Sequence, residues 1–358
     1  MTSRRSSVVI VGAGIVGASI AYHLARLNVA VTLVDRAKPA GGVTHRSFAW
    51  INVSHGLPET YPELRKRGIG EWHRLESELS GRLRVDWSGA LTWHANSIDT
   101  ERLAHDSAAM GHDVRLIRRD EIAALEPNLK NLPDSAAFAA GEGAIDPVAV
   151  TELLVQAARE AGADIRLDTE VLSLATQDSG VTGVVTSAGK IEADAVVLAA
   201  GVGTKTLSQP LGLTLPLDAS PCILMRFRTP RRLVSRVVCN QHMEIRPQTD
   251  TTMVGAEDYI DASAENGPEA VAQRALAAIR QQLVGGEEVE LMDVQVGIRP
   301  VPADGLPIVG WVPRIAGLYL SVMHVGVMLA PLIGRLASSE IAHGVEDPLL
   351  APYRSSRF

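Results

Sequence analysis

The sequence predicts an α/β protein: a parallel sheet assembled from separated chain segments, with an antiparallel-sheet α+β unit inserted between them. Three observations predict it. Ser7 to Arg36 reads as strand, glycine-rich turn, helix and strand. From Pro216 to Tyr259, short apolar segments follow one another with tight turns, the pattern of an antiparallel sheet. Continuous apolar runs typical of buried parallel strands return on both sides of that stretch, at Ala195 to Ala199 and Leu318 to Val322.

The opening unit carries the most chemistry. Val8 to Val11 is a short apolar run, followed by Gly12, Gly14 and Gly17 at GxGxxG spacing. Ile15, Ala18, Ala21, Tyr22, Leu24 and Ala25 then form the apolar stripe of a helix, and Val29 to Val34 ends in Asp35. Gly12 suits a tight turn, Gly14 lets a pyrophosphate approach the backbone, and Gly17 lets the helix pack closely on the strand. The helix N-terminus offers unpaired N–H groups to phosphate. An acid at the end of the second strand accepts from ribose hydroxyls and disfavours an extra 2′-phosphate. The unit therefore predicts dinucleotide binding, and by itself does not separate FAD from NAD.

Arg36 to Asn52 follows as a loop marked by Pro39, Gly41 and Gly42, with Thr44, His45, Arg46 and Ser47 as polar groups and Trp50 beyond them. Placed after the ribose-binding strand, it can return to the phosphates. Helical periodicity covers Gly68 to Gly81, a strand is expected over Val85 to Trp93, and short helices over Ser97 to Gly111 and Arg119 to Leu125. Asp146-Pro147 is a helix start, acid at the cap and proline at the first helical position, and Gly162 ends that helix. Ile165 to Leu167, Val171 to Leu174, Val181 to Thr186 and Ile191 to Ala193 are strand-like, and small residues Ala200, Gly201 and Gly203 follow the buried run at Ala195.

In the antiparallel region, strands are expected at Ile223 to Arg228, Val237 to Gln241, Met243 to Pro247 and Thr251 to Gly255. There His242, Glu244 and Arg246 fall on one face by the period of two, facing either water or a polar cavity. Pro268 to Val284 is an amphipathic helix closed by Gly285-Gly286, and a last helix begins near Val327 after the Leu318 strand. That places a second helix N-terminus at a loop, suited to negative charge.

Composition narrows the class. The chain has 358 residues, 46% hydrophobic and 21% charged, a globular profile with room for two cores. A net charge of −7 argues against nucleic acid or an anionic membrane as partner. The two cysteines, Cys222 and Cys239, have no metal-ligand spacing and read as thiols in a reducing compartment. The basic start MTSRRSS lacks the pattern of a secretory signal. The most apolar long stretch, Leu318 to Ala337, is interrupted by His324, Pro331 and Arg335 and does not read as a transmembrane segment. A cytoplasmic location is expected, and a homo-oligomer or partner subunit is left open.

Four separated stretches resemble the FAD-dependent amine and D-amino-acid oxidoreductases, relatives of glycine oxidase, sarcosine oxidase and D-amino-acid oxidase. They are GAGIVG with Asp35, the GAIDP helix start, the turn at Ala199 to Gly201, and GIRPVPADGLPIVG followed by HVGVMLAP. The resemblance implies a Rossmann-like FAD-binding domain from residues 1–82, 141–215 and 294–358, and a substrate domain from 83–140 and 216–293. It implies oxidation of the C–N bond of an amino acid or secondary amine by hydride transfer to flavin N5. The resulting imine hydrolyses, and O2 or another acceptor takes the electrons. Alternatives of the same architecture are a 2-hydroxy-acid dehydrogenase and a non-catalytic flavin-binding subunit of a larger amine dehydrogenase.

Carried over by position, Gly12, Gly14, Ile15, Val16 and Gly17 would bind the FAD pyrophosphate. Asp35 would hold the adenosine ribose, with Arg36 beside the adenine. Thr44, His45, Arg46 and Ser47 would run past the phosphates toward the isoalloxazine. Val171 would hold the adenine through its backbone, and Ala200 and Gly201 would close the ribose side. His324 and Val325 lead to Gly326, Val327, Met328 and Leu329, whose N–H groups would meet the flavin N1–O2 edge. Arg299 would grip the substrate carboxylate, with His242, Glu244 and Trp50 as further catalytic candidates. Val322 stands near the covalent-flavin cysteine position of sarcosine oxidases. His45 lies in an AGxxxH context like that of dimethylglycine dehydrogenase-like enzymes, which link flavin to histidine; non-covalent FAD is the expectation. No lysine on the candidate cavity strands corresponds to the oxygen-activating lysine of sarcosine oxidases, which leaves oxidase against dehydrogenase open.

Overall fold

A computed structural model describes residues 7–54, 61–178 and 180–358. The Ser7–Val11 strand lies inside a six-stranded sheet ordered Ile308–Trp311, Leu318–Val322, Ala195–Leu198, Ser7–Val11, Ala30–Val34 and Asp164–Arg166. All neighbours run parallel except the Ile308–Trp311 edge strand. The continuous apolar run of the first strand has a direct reason. Val8 and Ile10 enter the core shared with the helices Ile15–Arg26, Pro147–Glu160 and Gly326–His343. Val9 and Val11 enter a second core on the other face, beneath a three-stranded sheet of Val171–Gln177, Gly180–Thr186 and Gly189–Glu192.

The chain reverses direction across the sheet at the first strand, with Ala30–Val34 on one side and Ala195–Leu198 on the other. The turns at the carboxyl ends of these three strands therefore open one crevice, the usual ligand position in such sheets. Above it, a Cβ on Gly334 would stand 2.1 Å from Ser19 Oγ, so the Ile15–Arg26 and Gly326–His343 helices touch almost backbone to backbone.

The second sheet has eight strands: Glu290–Pro302, Leu217–Arg228, Thr252–Asp258, Met243–Pro247, Val237–Asn240, Ala90–Thr92, Ser135–Ala139 and Val114–Arg118. It is antiparallel except where Val237–Asn240 meets Ala90–Thr92. Ile223, Met225, Phe227, Met243, Ile245 and Met253 share one face and pack with Val271, Ala272 and Ile279 of the Pro268–Gln282 helix. The opposite face carries Arg226, Arg246, Glu244 and Arg299 and looks toward the first sheet.

Several elements differ from the sequence reading. The helix expected from Gly68 starts at Tyr61. Gly68 is interior, and a Cβ there would stand 2.9 Å from Met328 Cε, so this glycine serves close helix packing and not a break. The strand expected over Val85 to Trp93 shrinks to Ala90–Thr92 because Gly89, at φ +84°, turns the chain beside Phe138. The Glu290–Pro302 strand pairs with Leu217–Arg228 throughout, so the chain leaves the antiparallel sheet after Pro302 and not at Val294. Asp146 caps its helix as expected, accepting from Val148 and Ala149 N–H.

Candidate active site

The glycines of the first turn are fixed by contact. Gly12 sits at φ +109°, and a Cβ there would meet Ala199 O at 2.5 Å; a Cβ on Gly17 would stand 1.9 Å from Gly12 O. Gly14 occupies the cap of the Ile15–Arg26 helix, which has no side-chain cap and no acid in its first turn. Ile15 N–H makes one long bond, 3.3 Å, to Thr44 Oγ1, and the Cβ position of Gly14 is 3.2 Å from the same oxygen. Val16 and Thr44 thus flank a helix N-terminus left open to an anion. Asp35 is pinned at the strand end: Oδ2 accepts from Ala13 N–H at 2.6 Å and Oδ1 from Ala37 N–H at 2.8 Å.

Around Asp35 the other expected residues fall in reach or at the rim. Thr169 N–H donates to Asp35 O at 2.9 Å, which brings the Val171 strand alongside. Arg36 lies outward, largely exposed, 3.8 Å from Glu170. Ala200 and Gly201 turn directly after the Ala195–Leu198 strand, with Gly201 at φ +56°.

A second open helix N-terminus stands beside the first. The Gly326–His343 helix begins after Val325 with no side-chain cap, and the Cβ position of Gly326 is 3.3 Å from Val16 Cγ2. Trp72 Nε1 donates to Met328 O at 3.1 Å and fixes this end; Val327 and Leu329 are buried beneath it. Just before it, His324 is pushed down to about 4 by burial, then by the charges of Arg299 and Arg65, against the pull of Asp258. It is therefore neutral near pH 7.

The face of the eight-stranded sheet completes the enclosure. Pairing places Arg299 opposite Ser220, Gly297 opposite Cys222 and Cys222 opposite Asp258. Directly paired residues share a side, and so do residues two apart. Arg299, Gly297, Cys222, Asp258, Ala256 and Glu244 therefore share one face. Arg299 Nη2 donates to Ser220 Oγ at 3.0 Å, Pro221 O at 3.2 Å and Asp258 Oδ1 at 3.2 Å, while its buried Nε has no partner. The guanidinium is thus held by one edge and keeps donor capacity on another.

The Val43–Arg46 turn closes against this face. Arg226 Nη2 donates to His45 O at 2.8 Å, and the Cβ position of Gly297 is 3.0 Å from Arg46 Cβ. His45 Nδ1 is 3.1 Å from Ala40 O, and Ser47 Oγ accepts from Ala49 N–H at 3.1 Å. Trp50 is buried, edge-on to Phe48 at 6.4 Å between ring centroids. Ala40 and Ala49 sit at φ +62° and +58°, a strained backbone conformation for alanine concentrated on this loop.

Two expectations change. His242 is exposed in the turn after Asn240, where its N–H donates to Asn240 Oδ1 at 2.8 Å; it is not on the strand face with Glu244. Arg246 is on that face but is buried as a strut, donating to Phe48 O at 2.5 Å and Ile145 O at 3.0 Å, with burial lowering it to about 10. Sequence reasoning missed Arg65, which is buried and bonded to Asn52. Its place in the charge run RKR gave no signal. Asp258 was missed because only strand register brings it to Arg299.

Two adjacent open helix N-termini, glycines pressed against backbone and an acid at the end of the Ala30–Val34 strand fit FAD. The sequence profile of the family described as FAD dependent oxidoreductase matches residues 7–340. The chain belongs to that family and is an FAD-dependent oxidoreductase. It is 27% identical to glycine oxidase of Pseudomonas aeruginosa over 96% of each chain. To D-amino acid dehydrogenase of Cereibacter sphaeroides it is 26% identical, covering 88% of this chain and 87% of the relative. The fold is similar to the crystal structure of glycine oxidase from Geobacillus kaustophilus, with a TM-score of 0.88, 24% identity and 99% of each chain covered. Among the described residues, no helix is long and apolar enough to cross a membrane.

Proposed function

We propose that this FAD-dependent oxidoreductase oxidises the C–N bond of an amino acid or secondary amine, with Arg299 holding the substrate carboxylate. The observation that carries the reading is the Arg299 guanidinium, fixed by Ser220, Pro221 and Asp258 with Nε unpartnered, on the sheet face opposite the loop of Val43–Arg46. A planar fork with free donors suits a carboxylate. The named activities of the glycine oxidase and D-amino acid dehydrogenase relatives point the same way.

When bound, FAD would supply the hydride-accepting chemistry for the substrate C–H. The protein's own part is positional. Arg299 fixes one end of the substrate, which turns a bimolecular encounter into an oriented one. The N–H groups of Gly326 to Met328 offer a preorganised dipole toward developing negative charge, whereas the expected Leu329 N–H is taken by Val325 O at 3.1 Å; Phe48, Trp50 and Arg246 hold the loop that closes the space. Gly12, Gly14, Ile15, Val16, Gly17, Asp35 and the turn at Thr44 to Ser47 would hold FAD without a covalent bond. The FAD unit comprises 1–82, 141–215 and the C-terminal segment, and the substrate unit comprises 83–140 and 216 onward through the sheet strand ending at Pro302. Two half-buried free thiols, Cys222 and Cys239, go with a cytoplasmic setting.

The test is anaerobic mixing of the FAD-loaded protein with glycine, sarcosine, D-amino acids and, separately, 2-hydroxy acids. Bleaching of the flavin bands by an amine and not by its hydroxy counterpart supports the reading. Bleaching by the hydroxy acids alone overturns it.

A further inference from the structure

We propose that Glu244 receives the substrate's amino group, so that Arg299 and Glu244 form the two ends of a clamp for a zwitterionic amino acid. The inference rests on the assignment of Arg299 to the carboxylate and adds the second pole.

The placement follows from register. Glu244 pairs with Ala256, Ala256 with Leu224 and Leu224 with Gln295, while Arg299 lies four residues beyond Gln295 on its strand. Even spacing keeps Glu244 and Arg299 on the same face. Three strand spacings separate them across the sheet, about 14 Å, and four residues separate them along it, about 13 Å. Extended toward each other, a glutamate and an arginine reduce that distance to the width of a small amino acid. Of the intervening positions, Ala256, Cys222 and Gly297 are small, Leu224 and Asp258 share the same face with Asp258 bonded to Arg299 Nη2, and Arg46 covers Gly297. The two charges act on each other, since Arg299 favours the ionised form of Glu244.

The state of the Glu244 carboxylate supplies the second argument. Glu244 is half-buried on the sheet face that meets the Val43–Arg46 turn, and loss of water around it is the first cause of its raised carboxyl. Among the described residues no hydrogen bond or ion pair reaches its carboxylate oxygens. The charges nearest it are Glu257 and Asp258 on the adjacent strand, both unfavourable, and Arg299, favourable. Cys239, its direct partner in the sheet, is an un-ionised thiol, held there by burial. A half-buried carboxylate without a partner and beside other acids is costly unless a cation or donor meets it. A substrate ammonium arriving with its carboxylate on Arg299 supplies that cation.

The experiment uses FAD-loaded protein and matched pairs of ligands that differ in the amino group: glycine with glycolate, D-alanine with D-lactate, and sarcosine with methoxyacetate. Dissociation constants come from perturbation of the flavin spectrum, or from the concentration dependence of anaerobic reduction where a ligand reacts. Wild type is compared with Glu244→Gln, Glu244→Asp and Arg299→Leu, with FAD content measured for each. The expected result is that Glu244→Gln weakens the amino member of a pair about tenfold or more and leaves the other member within about twofold, at unchanged FAD content. Glu244→Asp retains part of the preference. Equal effects on both members, or none, overturn the clamp while Arg299→Leu still reports on the carboxylate end. If Arg299→Leu leaves both members unchanged, the carboxylate assignment falls and the clamp with it.

Discussion

Asp35 Oδ2 accepts a 2.6 Å hydrogen bond from Ala13 N–H, tying the end of the second strand to the glycine turn after the first. The same carboxylate accepts from Ala37 N–H at 2.8 Å, so its orientation is set before any ribose arrives. Charge-assisted bonds of this kind are each worth about 1.5–3 kcal/mol. Replacing Asp35 with Ala is expected to weaken FAD binding at least about tenfold and to loosen the turn, read by FAD titration of the apoprotein. Undiminished affinity would remove Asp35 from the cofactor site.

Gly17 leaves no room for a methyl group. A Cβ would stand 1.9 Å from Gly12 O, inside contact distance of backbone that cannot swing aside. Gly17→Ala is expected to cost about 1–3 kcal/mol of stability and to reduce the FAD retained on purification. The same change at Gly70, inside the Tyr61–Glu78 helix where a Cβ meets nothing within 4 Å, serves as the control and leaves FAD retention nearly unchanged with no loss of stability.

Arg246 joins the two halves of the protein. Its guanidinium donates to Phe48 O, Pro247 O and Ile145 O, and its charge lies over the Phe48 ring at 5.5 Å. Arg246→Met leaves buried carbonyls without donors, so a loss of about 2–4 kcal/mol is expected in denaturant unfolding. A neutral result would show that the strut is not needed.

Glu244 carries a pH signature. Burial first, then Glu257 and Asp258, push its carboxyl up to about 7 against the pull of Arg299. Because the folded value lies above the unfolded one, its contribution to stability is present below about 4.5 and is lost as pH rises through about 7. His324, lowered to about 4, has the opposite sense: its contribution is present above 6.5 and is lost as pH falls through about 4. In the substrate-free protein, Glu244→Gln should therefore gain about 1–3 kcal/mol over wild type between pH 5 and pH 8, with the His324 contribution cancelling in the comparison. Chemical denaturation at the two pH values measures it, and parallel curves would contradict it.

The flavin link is testable by acid precipitation. His45 keeps Nδ1 3.1 Å from Ala40 O, within a turn that Arg226 anchors through the His45 carbonyl. Yellow colour is expected in the supernatant. Colour held in the pellet would mean a covalent bond, and loss of that colour in His45→Ala would locate it.

What could be read from the sequence was local. The glycines at 12, 14 and 17, Asp35 and the Asp146-Pro147 cap all act within one turn or one strand–helix unit, and their spacing is their geometry. What could not be read depends on register and packing at long range. Asp258 reaches Arg299 only because Cys222 aligns with both Asp258 and Gly297. Arg65 sits in a charge run that looks solvated but packs over Tyr61 and bonds Asn52. His242 lies one residue before the Met243–Pro247 strand, because Asn240 turns the chain there with its side chain. The packing role of Gly68 shows only when Met328 is beside it.

The central claim is that Arg299 holds the carboxylate of an amine substrate beside FAD. Measuring the dissociation constant of an amino acid that bleaches the wild-type flavin, in Arg299→Leu protein of equal FAD content, tests it directly. The account predicts binding weakened by about two orders of magnitude or more, with flavin still bound. Unchanged affinity in a fully flavin-loaded Arg299→Leu protein would contradict it.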